Sequence, residues 1–202
     1  IVTISEFSKK DIVQHCNTDA AKICVVGSGA REIFQPIDWK EKEVVKEKYA
    51  DGKEYFLYVG SICPRKNVIN LLKAFSLFKK RQQSNMQLLI TGQITQEADD
   101  RIETYKYKNE LKIFRSADAQ KVAQLTAGAY AVVYPTIYEN HTLPILQAMQ
   151  CAVPVIVSNI DSMIEIAGNA ALYTDPTKPE DIATQMQIKS SLQSLLQKLR
   201  PC

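Results

Sequence analysis

The sequence predicts an α/β protein with a Rossmann-like parallel sheet and helices on both faces of that sheet. From residue 55 onward, short apolar runs alternate with amphipathic stretches, which is the pattern of repeated strand–helix units. The 202 residues are 46% hydrophobic, enough for one well-formed core. We therefore expect one main domain that contains all the repeated units.

Apolar runs and helical periodicity place the elements of that domain in order. Tyr55–Val59 is apolar or aromatic throughout, as in a buried strand, and Val68–Arg81 then carries Leu and Phe at helical spacing. Ala131–Tyr134 is another buried strand of β-preferring residues. The other strands are expected at residues 86–91, 111–114, 153–158 and 170–174. The other helices are expected at residues 98–108, 119–127, 143–151 and 162–167.

The chain is expected to divide into three segments. Residues 1–50 form a lead-in or interdomain segment, residues 51–184 the main domain, and residues 185–202 a C-terminal helix. Trp39–Tyr49 is so charged that it predicts an exposed linking helix. In the C-terminal helix the apolar residues share one face, which must pack against this domain or another. They are Ile188, Leu192, Leu195, Leu196 and Leu199.

Composition excludes several classes of function. The net charge is only +3 and the basic residues are interspersed with acids, so nothing indicates a nucleic-acid partner. Five cysteines without a Cys-x-x-Cys pair, and only two histidines, argue against a disulfide framework or a metal centre. No apolar run reaches the ~20 residues that span a bilayer, and the N-terminus lacks a signal-peptide pattern. We expect a cytoplasmic protein with at most peripheral membrane contact. Because Ile1 stands within a predicted strand, we also expect a piece of a longer polypeptide.

Two cations follow the first strand of the main domain. In a parallel sheet the loops after the strands leave from one edge, and ligands bind in the crevice there. Arg65 and Lys66 directly precede a helix whose expected cap is Asn67. Cations beside a helix N-terminus cost about 0.3–1 kcal/mol unless an anion binds. A diphosphate would accept hydrogen bonds from both side chains and from free helix amides. The alternative is a solvated turn whose charges point away from the crevice.

The loop from Pro135 to Pro144 predicts a second anion site. Thr142 can cap the next helix, and Pro144 can occupy its first turn without wasting a hydrogen-bond donor. Glu139 offers a carboxylate for sugar hydroxyls, although an isolated loop glutamate is commonly just exposed. His141 by itself is more typical of a loop hydrogen bond than of a catalyst.

Together these motifs resemble the C-terminal, nucleotide-sugar-binding domain of the group-one retaining glycosyltransferases, which have the two-domain GT-B fold. The subtype is the one whose first loop is Pro-Arg-Lys-Asn. The resemblance covers most of the chain in one consistent order. The segments that carry it are Thr3–Ser8, Tyr58–Gly60, Pro64–Asn67, Tyr134–Glu139, Leu143–Met149, Asp175–Pro176 and Pro179–Ala183.

The resemblance implies a site for a nucleotide diphosphate sugar, which is a substrate, with no metal ion or other cofactor. Lys66 and Arg65 would neutralise the diphosphate as the glycosidic bond breaks, and Glu139 would bind hydroxyls of the transferred sugar. These three are the expected catalytic residues. The segment Phe114–Ser116 would lie against the base, and amides of residues 141–143 would hold the phosphates. The other expected donor-binding residues are Gly60, Ser61, Arg115, Ser116, Asn140, His141, Thr142, Leu143 and Gln147.

The resemblance also implies a partner domain. A glycan or lipid-linked acceptor would be supplied mostly by an N-terminal domain of the same polypeptide, across a cleft of which this chain holds half. The chain alone is therefore expected to be inactive. The leading hypothesis is retaining transfer of a hexose such as mannose in surface-polysaccharide synthesis.

The sequence departs from the family pattern at three places. The usual pair of glutamates, with seven residues between them, is here Glu139 followed by Gln147, so the ribose hydroxyls lose charge assistance. Asn140–Thr142 replaces small glycines, and Ser61 replaces a common arginine whose role Arg65 would take over. Two alternatives therefore stay open. One is a non-catalytic nucleotide-sugar binder or scaffold in a glycan-assembly complex, and the other is an epimerase or phosphorylase with the same architecture.

Overall fold

The computed structural model describes two parallel sheets and the helices around them. It describes residues 1–93, 95–140 and 143–198, without the side chains of residues 96–98, 101 and 190–198. The smaller sheet pairs strands β1 (Val2–Thr3) and β2 (Cys24–Val25). The larger sheet has six strands: β3 (Tyr55–Val59), β4 (Gln87–Thr91), β5 (Leu111–Phe114), β6 (Ala131–Tyr134), β7 (Val155–Ser158) and β8 (Leu172–Thr174).

Eight helices lie in the described ranges, and the third to the seventh connect successive strands of the larger sheet. They are α1 (Glu6–Cys16), α2 (Trp39–Ala50), α3 (Val68–Gln82), α4 (Gln96–Glu103), α5 (Ala119–Gly128), α6 (Leu143–Gln150), α7 (Asp161–Ala167) and α8 (Pro179–Lys198). Short 3-10 turns occupy Ala20–Lys22, Pro64–Lys66 and Lys108–Glu110. Within the described ranges, no helix combines the length and apolarity that crossing a membrane requires.

The strand order of the larger sheet is β5-β4-β3-β6-β7-β8, and every pairing is parallel. The chain builds outward from β3 to β5, then returns to pair β6 with the other side of β3. Right-handed crossovers in these two directions place helices on opposite faces of the sheet. This confirms the predicted fold class, and it explains why the central strands are apolar without alternation, since both of their faces are covered.

Strands β3, β5 and β6 match their predicted bounds, whereas β4, β7 and β8 begin one or two residues later than expected. Strand β7 begins at Val155, two residues later than expected, and the preceding Pro154 has no amide to donate to a ladder. Helix α4 was expected to run to residue 108 but ends at Glu103. The Tyr105 hydroxyl donates to the Leu72 carbonyl at 2.8 Å, which draws the chain onto α3.

The predicted helix at Trp39–Tyr49 is present and most of its residues are exposed, but part of it packs against the main domain. Trp39 itself is 71% exposed, but Val45 and Ala50 are buried, and α2 packs against α5. The approach is close, because a Cβ added to Gly128 of α5 would lie 2.5 Å from Val45 Cγ1. A helix with many charges thus still presents one apolar face to the main domain.

The expected boundary at residues 184 and 185 falls inside helix α8. This helix begins at Pro179 and packs against α3, and its first turns bury Ile182, Ala183 and Met186 completely. Ile188 is 39% exposed. The expected apolar positions beyond it, at residues 192–199, lie outside the described side chains.

Candidate functional site

The loops that follow β3 and β6 leave the middle of the sheet side by side. Strand order reverses between these two strands, and such a topological switch point is where ligands bind in open parallel sheets. The Ile137 amide donates to the Arg65 carbonyl at 2.8 Å, and the Thr136 hydroxyl donates to the same carbonyl at 3.0 Å. The two segments that carry the predicted charged residues are therefore in direct contact.

One carboxylate meets two cations in this crevice. Lys66 Nζ contacts both Glu139 Oε2 and the Tyr134 hydroxyl, and Arg65 Nη1 lies 3.2 Å from the same Glu139 oxygen. The Lys66 and Glu139 side chains are each 9% exposed, whereas the Arg65 side chain is 52% exposed. Lys66 and Glu139 thus form a buried ion pair, while Arg65 pairs with the same carboxylate from a half-exposed position. We call Arg65, Lys66, Glu139 and Tyr134 the charge cluster.

Burial and charge oppose each other at Glu139. Burial raises the pKa of its carboxyl, but the hydrogen bond and charge of Lys66, together with those of Arg65, outweigh burial and hold the pKa below its ordinary value. The carboxylate is therefore ionised at neutral pH and accepts hydrogen bonds. The cluster as a whole carries one net positive charge, which suits an anionic ligand.

Two tyrosine rings stack on each other next to Lys66 of the charge cluster. The Tyr58 and Tyr134 rings lie 5.8 Å apart at an interplanar angle of 14°, and Lys66 Nζ lies 4.9 Å from the centroid of the Tyr134 ring. Burial raises the pKa of both hydroxyls well above that of an ordinary tyrosine, so both stay protonated. Sequence analysis placed Tyr134 at the end of a strand and in the Tyr134–Glu139 segment, but did not expect it among the site residues. Its place at the end of a central buried strand was the available signal.

Two glycines shape the edge of the crevice. Gly60 follows β3 with φ +145°, and Gly92 follows β4 with φ +143°, conformations that side chains rarely adopt. A Cβ on Gly92 would lie 2.1 Å from the Gly60 carbonyl oxygen, so this close approach of the two backbones requires glycine at position 92. The expected donor-binding residues Gly60 and Ser61 therefore lie at the same edge as the charge cluster. Gly92 was not among the expected site residues, although a glycine directly after a strand is a recognisable signal.

Arg115 and Ser116 follow β5 at the same sheet edge but do not reach the charge cluster. Strand β5 lies two strands from β3, which corresponds to roughly 10 Å. Arg115 makes a paired contact with both carboxylate oxygens of Asp99, at 2.6 and 2.7 Å, and this contact lowers the pKa of Asp99. Arg115 is thus paired with Asp99 two strands away from the turn that carries the cations.

Helix α6 begins four residues after Glu139. Leu143 is its first residue, and Gln147, one turn later, is buried. Asn140 is exposed and borders a cavity of about 350 Å³ beside α1. The expected phosphate-binding residues His141 and Thr142 lie outside the described residues.

Asn67 is the N-cap residue of α3, as the sequence predicted, but its side chain is used for other contacts. Asn67 occupies the N-cap position but in the left-handed conformation, at φ 60° and ψ 28°, and its side chain makes no capping bond. Instead its amide group donates to the Pro135 carbonyl at 2.8 Å and to the Pro176 carbonyl at 2.6 Å. Asn67 therefore joins three loops around the crevice, a contact that local sequence does not encode.

A Rossmann-like parallel sheet with two cations and a glutamate at its switch point makes this chain an α/β protein with charged residues where such sheets bind their ligands. Residues 39–200 match the sequence model of the family described as Glycosyl transferases group 1. The chain belongs to this family.

Individual relatives agree with the family match. The chain is 32% identical over 190 residues to O-antigen chain mannosyltransferase B of Escherichia coli, covering 92% of this chain and 50% of the relative. Its structure is similar to that of WaaG, a glycosyltransferase involved in lipopolysaccharide biosynthesis, with a TM-score of 0.82 at 18% identity, covering 94% of this chain and 53% of that one. It is also similar to Anabaena Alr3699/HepE solved with UDP-glucose, with a TM-score of 0.80 at 16% identity, covering 98% of this chain and 54% of that one. The chain thus spans about half the length of these relatives.

Proposed function

We propose that this chain is the donor-binding half of a hexosyltransferase that uses a nucleotide diphosphate sugar. The observation that supports the proposal most strongly is the charge cluster, in which Arg65 and Lys66 meet Glu139 at the switch point of the sheet. The UDP-glucose complex of the structurally similar HepE supports a nucleotide sugar as the class of ligand.

In the proposed mechanism the cations change partners when the donor binds. The half-exposed Arg65 turns from Glu139 to the diphosphate, while the buried Lys66 keeps its place and adds a second positive charge. Negative charge grows on the leaving diphosphate in the transition state, so these fixed cations lower the barrier without a metal ion. Amides at the start of α6, near Leu143, would add hydrogen bonds to the phosphates.

The sugar and the nucleoside occupy opposite sides of this diphosphate position in the proposal. Glu139, relieved of Arg65, accepts hydrogen bonds from hydroxyls of the transferred sugar. Gln147 lies toward the ribose, and Arg115 with Ser116 lies toward the base, two strands along the sheet edge from the cations. We further propose that transfer proceeds with retention at the anomeric carbon.

Mannose is the proposed sugar, and a growing glycan or lipid-linked glycan is the proposed acceptor. The name of the E. coli relative, an O-antigen chain mannosyltransferase, supports both choices. In the complete enzyme a second domain would present the acceptor across the cleft, in cytoplasmic surface-polysaccharide synthesis with at most peripheral membrane contact. On this proposal the chain alone binds the donor but does not transfer the sugar.

Binding of nucleoside diphosphates tests the proposal. Purified chain is mixed with GDP, UDP, ADP or dTDP, and its unfolding temperature Tm is measured. A ligand at 100 times its Kd adds about 2.7 kcal/mol to the free energy of unfolding, or about 5–11 °C in Tm for a chain of this size. Failure of all four diphosphates to raise Tm would contradict the proposal.

Arg65→Ala identifies the site by removing the half-exposed cation. We expect about fivefold weaker binding, the effect of ~1 kcal/mol from a partly exposed charge. Lys80→Ala is the matched control, because Lys80 is an exposed cation in α3 that has no place in the proposed site. Equal affinity in Arg65→Ala and the unmodified chain would place the ligand elsewhere.

A second candidate function is a non-catalytic nucleotide-sugar-binding scaffold. The neutral Gln147, at a position where the resemblance places a carboxylate, favours it. The two functions differ in turnover by the complete polypeptide. Hydrolysis or transfer of a bound donor supports the transferase, and binding without any turnover supports the scaffold.

A further inference from the structure

Helix α1 lies against the loop that carries Glu139. The Tyr138 hydroxyl donates to Asp11 Oδ2 at 2.5 Å, and the rings of Phe7 and Tyr138 lie 6.0 Å apart. The first amides of α1, those of Glu6 and Phe7, donate to the Glu165 carboxylate at 2.7 and 2.9 Å. Helix α1 is thus fixed to α7 at its start and to the loop in its middle.

The loop that carries Glu139 is held by contacts with the strands in its first part and by a contact with α1 in its next part. Thr136 and Ile137 bond to the Arg65 carbonyl, and the Ser158 hydroxyl donates to the Thr136 carbonyl at 2.6 Å. This first part is therefore anchored to the strands. Tyr138 follows it with an exposed side chain that turns away from the sheet and meets Asp11 instead. The backbone that sets the direction of Glu139 is thus anchored by the strands on one side and by α1 on the other.

We infer that Asp11 is a positioning residue for the donor site, acting on Glu139 through the Tyr138 hydroxyl. The inference rests on the proposed function, in which Glu139 contacts the sugar. Without the Asp11 contact, the Tyr138 hydroxyl loses its partner on α1, and the backbone beside Glu139 loses one of its two anchors. Arg65 and Lys66 are placed by the turn after β3, and Arg65 reaches Tyr138 at its carbonyl, at 3.5 Å, and not at the hydroxyl that Asp11 holds. The loss therefore falls on recognition of the sugar and spares recognition of the diphosphate.

Measuring each variant with a nucleotide sugar and with its matching diphosphate separates recognition of the sugar from recognition of the diphosphate. The variants are Asp11→Ala, Asp11→Asn, Tyr138→Phe and the double variant Asp11→Ala/Tyr138→Phe, with calorimetric Kd values for UDP-glucose, UDP, GDP-mannose and GDP. Asp11→Ala and Tyr138→Phe are each expected to weaken binding of the preferred nucleotide sugar about three- to tenfold, the factor of one ordinary hydrogen bond. The Kd of the matching diphosphate is expected to change by less than about twofold. The double variant is expected to lose no more than either single variant, since both break the same contact. Asp11→Asn keeps an acceptor oxygen and is expected to recover most of the affinity.

His15→Ala is the matched control. His15 Nε2 lies 3.5 Å from the other Asp11 oxygen, so this variant removes a neighbour of Asp11 without touching the Tyr138 contact. We expect it to bind both ligands like the unmodified chain. Unchanged sugar-to-diphosphate affinity ratios in Asp11→Ala and Tyr138→Phe, or additive losses in the double variant, would overturn the inference.

Hydrogen exchange keeps the test independent of the proposed function. In unliganded protein, the amides of residues 136–140 are expected to exchange faster in Asp11→Ala and Tyr138→Phe than in His15→Ala. If the unmodified chain binds no nucleotide, the proposed function fails, and this comparison still decides whether α1 anchors the loop. Equal exchange in all variants would refute the anchor. Tyr138→Phe changes one hydroxyl only, so it provides the comparison even if Asp11→Ala does not fold.

Discussion

Lys66→Met removes the buried cation that faces Glu139. The burial of this ion pair sets the size of the expected loss in the free energy of unfolding. Both side chains of the pair are 9% exposed, and removing one partner of a buried pair costs about 3–5 kcal/mol. Arg65 and the Tyr134 hydroxyl each remain 3.2 Å from the same carboxylate oxygen, so we expect the lower end, ~3 kcal/mol. For a chain of this size that lowers Tm by about 6–12 °C.

Thermal unfolding followed by circular dichroism measures this loss against two matched variants. Lys66→Met/Glu139→Gln removes both charges and is expected to recover most of the lost stability, because no unpaired carboxylate remains. Arg65→Ala removes the half-exposed cation and is expected to cost about 1 kcal/mol or less. The reasoning would be refuted if Lys66→Met cost no more than Arg65→Ala, or if the added Glu139→Gln change recovered nothing.

The pH dependence of the same variants gives an independent check. In the unmodified chain the pKa of Glu139 is lowered by folding, so its stabilising contribution is present above the unfolded carboxyl pKa and is lost as pH falls through the folded value. In Lys66→Met, burial still raises the pKa of Glu139 and mainly Arg65 opposes it, so this pKa is higher than in the unmodified chain. The Tm gap between the two proteins is therefore expected to narrow from pH 7 toward pH 4. A gap that stays constant with pH would contradict this assignment.

Three further predictions concern the walls of the crevice. Gln147→Glu is expected to tighten binding of the preferred nucleoside diphosphate about fivefold by calorimetry, because a carboxylate binds hydroxyls more strongly than an amide; weaker binding would argue against the ribose position. Gly92→Ala is expected to lower the free energy of unfolding by at least ~2 kcal/mol, since its Cβ would meet the Gly60 carbonyl at a strained φ. Gly168→Ala, with positive φ but open space, should lose less by the same urea titration, and equal losses would mean that the close approach is unimportant. Asn67→Ala is expected to cost about 2 kcal/mol for two buried hydrogen bonds, and a neutral result in urea unfolding would show that the loops are joined by other contacts.

Sequence predicted the fold best where burial is complete. Tyr55–Val59 and Ala131–Tyr134 were expected as strands at the bounds that the structure gives them, because a strand covered on both faces leaves an uninterrupted apolar run. Trp39–Tyr49 was correctly expected as a mostly exposed helix, but its packing against α5 was missed, because counting charges hides the few positions that are buried.

The site was harder to predict because its contacts join distant parts of the chain. The position of Arg65 and Lys66 after a strand placed them at the correct sheet edge, but no local pattern states that β6 pairs with β3. The contact of Lys66 with Tyr134, and the role of Asn67 between loops, both depend on that pairing. Intrinsic preference favoured a capping side chain at Asn67, and tertiary hydrogen bonds overrode it.

The central pairing of β3 with β6 also has a consequence for the order of folding. The two ends of the buried ion pair are 73 residues apart in the chain, and contacts of such long range form late because the intervening loop must first be closed. A refolding intermediate that contains only β3, β4 and β5 would carry Lys66 without its counter-charge. Recovery of nucleotide affinity during refolding would therefore mark the moment at which the two halves of the sheet join.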